Sequence, residues 1–89
     1  MSKRNLKKAA YLKQLGERIR TLRIAAGYTN HETFAFQHDF GRSQFNRYER
    51  GETEPGIYKI RRICEALEIT EATFFEEGFD TGKIKKEEP

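Results

Sequence analysis

The stretch FGRSQFNRYERGETEP, residues 40–55, decides the fold. Within it, Phe45 and Tyr48 lie three residues apart, which places both on one face of a helix predicted from Arg42 to Glu49. Gly41 precedes this helix as its N-cap. The opposite face carries polar side chains, namely Arg42, Ser43, Asn46, Arg47 and Arg50. A helix built this way is either an ordinary solvated surface helix or one whose polar side reads a partner.

The first third of the chain predicts a longer helix. Its apolar residues recur at steps of 3, 4, 3 and 4, as on one buried stripe: Leu12, Leu15, Ile19, Leu22 and Ala26. Gly27 ends this helix, since glycine readily adopts the left-handed conformation at a helix end. Residues 1–10 either extend the helix or form a separate basic arm, whose cations are Lys3, Arg4, Lys7 and Lys8.

The second helix is expected to open at Thr29, because Glu32 follows three residues later and completes a capping box. HDFG, residues 38–41, then breaks the helical pattern and predicts a tight turn with Phe40 pointing inward. The aromatic residues expected to share the core are Phe34, Phe36, Phe40, Phe45 and Tyr48.

The last two helices follow a loop that contains Gly51 and Pro55. The fourth helix is predicted to bury Ile57, Ile60, Ile63, Cys64 and Leu67, and to turn Arg61, Arg62 and Glu65 outward. Thr70 caps a short fifth helix that reaches about Phe75. No segment alternates with period two, so we expect an all-α fold of residues 11–76, followed by a flexible tail over residues 77–89.

Charge and composition narrow the class of protein. The net charge is +3, but residues 1–26 hold eight Lys/Arg and one Glu, which indicates either a polyanionic partner or a set of solvated helix faces. One cysteine permits no internal disulfide, and neither a signal peptide nor a membrane span is apparent, so we expect a cytoplasmic protein without membrane contact. Neither a nucleophile–base pair nor metal-ligand spacing is present, which indicates no enzyme, no metal and no cofactor.

Two short helices joined by a tight turn, the second with a donor-rich outer face, predict a helix-turn-helix. The major groove of B-DNA is about 12 Å wide and admits one helix, so the second helix of such a pair can enter it. Phe45 and Tyr48 would hold that helix to the domain, while its polar face reaches base edges. Arginine suits guanine and asparagine suits adenine, because each forms two hydrogen bonds with its base.

Residues 15–75 resemble the Cro/lambda-repressor-like, or XRE-type, helix-turn-helix domains. The resemblance is carried by LGERIRTLRIAAGYT, then SQFNRYERGETEP, then IRRICEALEITEATFF. It implies a compact five-helix lambda-repressor-like domain whose partner is double-stranded DNA. Two positions depart from the family pattern. Thr29 lies six residues before Ala35 where the family has five, and Phe40 stands in place of a smaller residue.

The resemblance also implies roles for individual residues. Three positions of the third helix commonly contact base edges in this family, and here they are Arg42, Ser43 and Arg47. Gln44 and Asn46 are candidates for additional base contacts. The start of helix two suits phosphate, which assigns Thr29, Asn30 and His31 to the DNA backbone, and Arg50 after helix three joins them. Arg23 and Glu49 are the internal ion pair that joins helix three to helix one. Simple capping or solvent exposure is the alternative at each surface position.

The leading hypothesis is a sequence-specific transcriptional regulator that binds as a homodimer to an inverted repeat. The alternative is the antitoxin of a toxin–antitoxin pair, which would bind the same DNA and also a protein toxin or another regulator. A protein-interaction module that lost DNA binding is a third hypothesis, which the polar side chains of helix three disfavour. The candidates for a dimer contact are helix five, Phe74, Phe75 and Phe79, with packing inside the chain favoured for Phe74.

Overall fold

The computed structural model describes residues 3–76, and these form five helices without a strand. The helices are α1 (Lys3–Ala25), α2 (His31–Gln37), α3 (Arg42–Glu49), α4 (Ile57–Leu67) and α5 (Glu71–Phe74). The predicted all-α, helix-turn-helix fold is confirmed. The bounds of α3 agree with the prediction, and Gly41 is its N-cap. The tail predicted over residues 77–89, including Phe79, lies outside the described residues.

α1 is longer than its buried stripe requires. It begins at Lys3, so the described part of the basic segment is a helix extension, and every residue from Lys3 to Tyr11 is exposed. Gly27 has φ +101°, and the amides of Gly27 and Tyr28 bond back to the carbonyls of Ile24 and Arg23. This is the Schellman arrangement in which a left-handed glycine ends a helix. Ala26, predicted on the buried stripe, is exposed because it lies beyond the last helical turn.

α2 begins one residue later than predicted. Asn30, not Thr29, is the N-cap: its Oδ1 accepts the amide of Glu32 at 2.7 Å and that of Thr33 at 3.3 Å. Both residue types cap well, and the extended backbone at Asn30 (φ −121°, ψ 123°) decides between them. Ala35 now follows the cap by five residues, so the apparent departure from the family spacing disappears.

Aromatic rings fill the space between α2 and α3. The ring centroids of Phe34 and Phe45 lie 5.1 Å apart, and those of Phe40 and Phe45 lie 5.5 Å apart. Phe40 is buried, as predicted. Phe36 was expected in this cluster and is 81% exposed, because α2 turns Phe34 and Ala35 inward and leaves its opposite side to solvent.

α4 and α5 close the core from the other side. Ile60 and Ile63 are buried as predicted, but Ile57 is 89% exposed because it starts α4 in a turn that extends past the core. Thr70 caps α5, and Phe74 is fully buried within this chain. Arg18 of α1 donates to the carbonyls of Phe74 and Thr73 at 2.8 and 2.7 Å, which fixes the end of α5 against α1.

α1 and α3 approach so closely that only glycine fits at residue 16. A methyl group on Gly16 would overlap the carbonyl oxygens of Tyr48 and Glu49. The last turn of α3 is therefore fixed against the middle of α1.

Across residues 3–76, each helix is either too short or too polar to span a bilayer.

Candidate nucleic-acid interface

The inner face of α3 sets the rotation of the whole helix. Phe45 is fully buried and Tyr48 is 3% exposed, so turning α3 about its axis would bring both rings into water. Burying one large apolar side chain stabilises a fold by about 1.5–3 kcal/mol. The opposite face of α3 is consequently held outward.

The five side chains predicted to contact bases all lie away from the core. Arg42, Ser43, Gln44 and Arg47 are exposed, and Asn46 is half-buried. Gln44 differs from the others because its Nε2 donates to the hydroxyl of Tyr48 at 3.1 Å. Gln44 therefore lies on the flank of α3, where it also satisfies a phenol that the core would otherwise leave without a partner.

The predicted ion pair is present at the end of α3. Arg23 Nε lies 2.7 Å from Glu49 Oε2, and Arg23 Nη2 lies 3.1 Å from Glu49 Oε1. Their side chains are 5% and 6% exposed. Arg23 Nη1 also donates to the carbonyl of Tyr28 at 2.7 Å. The guanidinium thus links α1, the connection between α1 and α2, and the end of α3.

A polar cleft of about 480 Å³ opens beside this ion pair. It lies between α1, the start of α2 and the end of α3, and it brings together the four predicted phosphate contacts: Thr29, Asn30, His31 and Arg50. The backbone of α2 offers less to an anion than the sequence suggested, because Asn30 already occupies the amides of Glu32 and Thr33. The side chains of the cleft are the remaining donors.

Three arginines line the cleft, and two of them have anionic partners. Arg23 is paired with Glu49, and Arg50 Nη2 lies 2.9 Å from Glu52. Arg20 is exposed, and its side chain makes neither an ion pair nor a hydrogen bond with another residue of the described range. Arg20 was not among the residues predicted to belong to the site. Its position one turn before Arg23 is the signal that places it beside the ion pair.

Two other predicted features lie apart from this surface. The cations of the α1 extension are exposed, and Lys8 Nζ lies 3.2 Å from Glu54 Oε1. Cys64 is 1% exposed, and burial raises the pKa of its thiol to about 11, as suits a structural cysteine. Among residues 3–76, no three His, Cys, Asp or Glu side chains are grouped so that they could hold a metal ion.

Comparison with known families identifies the arrangement. The helix-turn-helix domain model matches residues 14–74, which cover all five helices except the first eleven residues of α1. This chain belongs to the helix-turn-helix domain family. The helix-turn-helix assignment is confirmed and is consistent with the resemblance to XRE-type domains, and the family is a DNA-binding one that is generally not enzymatic. No curated protein and no solved structure matches the chain.

Proposed function

We propose that this helix-turn-helix protein is a sequence-specific transcription regulator that reads the major groove with α3. The observation that carries the proposal is that α3 is packed against the core on one face and exposes polar side chains on the other. Phe45 and Tyr48 fix its inner face, and the outer face presents five polar side chains. A helix with its side chains is about 10–12 Å across, which fits a groove about 12 Å wide.

Base reading is assigned to Arg42, Ser43, Asn46 and Arg47, with Gln44 at the edge. Arg42 and Arg47 are exposed arginines near the two ends of α3, so each can reach a different base pair. A bidentate contact of arginine with guanine discriminates by about 1–3 kcal/mol against the wrong base. The phenol of Tyr48 would orient Gln44 toward its own base or toward a sugar-phosphate edge.

Phosphate binding is assigned to the cleft beside α3. Thr29, Asn30, His31 and Arg50 line it as hydrogen-bond donors beside the carboxylates of Glu32 and Glu49, and Arg20 adds a cation that forms no ion pair with another described residue. Phosphate contacts set the register of the protein on the duplex without reading its sequence. Because the cleft borders the end of α3, one phosphate in it would fix how far α3 enters the groove.

A homodimer on an inverted repeat completes the proposal. Phe74 is buried and thus removed from the candidate dimer contacts, while Phe75 is 45% exposed. Phe75 lines an apolar groove of about 260 Å³ together with Tyr11 and Ile57, both of which are also exposed. The same groove supports the second candidate function, an antitoxin, because a protein toxin could occupy it in place of a second copy.

The first experiment is selection of bound duplexes from a random DNA pool at physiological salt. The expected result is an enriched inverted repeat, with two copies of the chain on each duplex by sedimentation. Arg42→Ala and Arg47→Ala should each relax the preference at one base position per half-site. No enriched sequence would contradict the proposal, and a 1:1 complex on a single half-site would contradict the dimer.

Arg20→Gln tests the cleft separately. Removal of the Arg20 charge should make the negative slope of log affinity against log salt less steep by about 0.9, and it should weaken binding to selected and unrelated duplexes alike. Lys59→Gln is the matched control, because it removes the same charge from α4, outside both the cleft and α3. An equal slope change in both variants would show that only net charge matters.

A further inference from the structure

The turn between α2 and α3 is held by a residue from α4. Arg62 Nη2 donates to the carbonyl oxygens of His38 and Asp39, each at 3.1 Å. Its guanidinium carbon lies 4.4 Å from the centroid of the Phe40 ring. Arg62 was predicted to face outward and is instead half-buried against the turn. We call this set of three contacts the Arg62 clamp.

One residue of the turn held by the Arg62 clamp has an energetically unfavourable backbone conformation. Asp39 has φ +62°, a left-handed conformation that non-glycine residues adopt at a cost. The amides of Asp39 and Phe40 bond back to the carbonyls of Phe36 and Ala35, so α2 ends in the same Schellman arrangement as α1. α1 uses glycine at the left-handed position, whereas α2 uses aspartate and has the clamp above it.

The geometry of the turn decides whether both halves of the proposed interface can engage one duplex. The cleft includes the start of α2, and the base-reading side chains lie on α3. If the angle between α2 and α3 changes, the phosphate in the cleft and the bases beside α3 can no longer be reached together. Contacts of this kind require placement to within about 0.5 Å.

We propose that Arg62 is a positioning residue for DNA recognition: it fixes the angle between α2 and α3 by holding the turn carbonyls, without contacting DNA itself. This inference rests on the proposed function. It assigns Arg62 a role in sequence discrimination that its neighbour lacks, since Arg61 is exposed and pairs with Glu65 and Glu71 at 3.5 and 3.2 Å. The planar guanidinium both donates and stacks, which a lysine ammonium cannot do in the same way.

The test compares Arg62→Ala, Arg62→Lys and the control Arg61→Ala, each bound to the selected duplex and to an unrelated duplex. Arg62→Ala should lower affinity for the selected duplex by roughly 5- to 150-fold, which is the effect of misplacing one bidentate base contact. Its affinity for the unrelated duplex should stay near that of the wild type. Arg62→Lys should behave like Arg62→Ala, because charge alone does not restore the clamp. Arg61→Ala should retain the wild-type ratio of the two affinities.

Amide hydrogen exchange supplies a readout that needs no DNA. The Phe40 amide bonds to Ala35 O at 2.8 Å within the clamped turn, and the Tyr28 amide makes the equivalent bond to Arg23 O at 3.1 Å at the end of α1. Arg62→Ala and Arg62→Lys should accelerate exchange at Phe40 and leave Tyr28 unchanged. A variant that merely destabilises the whole fold would accelerate both amides together.

Three results would overturn the inference. They are an unchanged affinity ratio in Arg62→Ala, a wild-type ratio in Arg62→Lys, or equal acceleration of exchange at Phe40 and Tyr28. If the wild-type chain itself shows no preferred sequence, the proposed function fails on its own account. The recognition role of Arg62 then fails with it, and exchange decides only whether Arg62 holds the turn, which unchanged protection of Phe40 in Arg62→Ala would reject.

Discussion

Arg23 and Arg62 each attach the helix-turn-helix to another part of the domain, with different partners in different surroundings. Arg23 reaches the end of α3, where both of its contacts with a side chain are to the carboxylate of Glu49, and the pair is almost fully buried. Arg62 reaches the turn that precedes α3, where its hydrogen-bond acceptors are two backbone carbonyls. It remains half-exposed.

The two arginines are expected to contribute to different properties of the domain, namely its free energy of unfolding and the relative placement of its helices. A buried charge that loses its partner is costly, because neither water nor another group replaces the lost contact. A half-exposed guanidinium that is removed leaves carbonyls to which water has access. We therefore expect Arg23 to determine whether the domain stays folded, and Arg62 to determine how α2 and α3 are arranged.

The largest effect is expected from Arg23→Met. This variant leaves the Glu49 carboxylate buried and unpaired, which should lower the free energy of unfolding by about 3–5 kcal/mol. The double variant Arg23→Met/Glu49→Leu should recover much of that loss, since it removes both charges. Urea denaturation followed by circular dichroism measures both. A single variant that costs less than the double variant would contradict the account of this pair.

Gly16→Ala disrupts the same α1–α3 contact without altering any charge. Its methyl group would overlap the backbone of Tyr48 and Glu49, so the helices must separate, and we expect a loss of about 1–3 kcal/mol. Gly56→Ser is the control, because a Cβ there meets nothing within 4 Å. If urea midpoints of the two variants agree, close approach of the helices is not what holds the end of α3.

Arg62→Ala should have a small effect on the free energy of unfolding, about 1 kcal/mol or less, because its contacts are partly exposed to water. The urea midpoint should therefore stay near that of the wild type while sequence discrimination falls. A loss of stability as large as that of Arg23→Met would remove the distinction between the two arginines.

The smallest expected effect is that of Arg62→Ala on the reactivity of the Cys64 thiol, which lies two residues further along α4. Burial raises its pKa to about 11, so at pH 8 the native thiol is both shielded and protonated, and labelling requires opening of the fold. Arg62→Ala should leave the rate of iodoacetamide labelling nearly unchanged, whereas Arg23→Met should accelerate it strongly. Equal acceleration in the two variants would show that the clamp also holds α4 closed.

The features that could be predicted from the sequence are those that depend on the types of the side chains involved. Arg23 and Glu49 lie in the motifs that carry the family resemblance, and that resemblance implied their pairing. The two-sided character of α3 followed from the spacing of Phe45 and Tyr48. The all-α class followed from helical spacing along the chain.

The remaining features depend on backbone geometry that residue types do not encode. Thr29 and Asn30 are both good caps, and the local dihedral angles choose between them. A seven-residue helix is too short for its pattern to tell which of Phe34 and Phe36 faces inward. Arg62 was missed because its hydrogen-bond acceptors are carbonyl oxygens, which leave no pattern in a sequence.

The nature of those acceptors has a consequence for how the turn can evolve. Every amino acid has a carbonyl oxygen, so residue 39 can change among the residue types that tolerate a left-handed backbone, such as glycine and asparagine, while Arg62 keeps its hydrogen bonds. The Arg23–Glu49 pair has no such freedom, because any path that changes one partner first passes through a poorly folded intermediate. Substitutions should therefore accumulate in the turn more readily than at the ion pair, whose carboxylate lies only ten residues further along the chain.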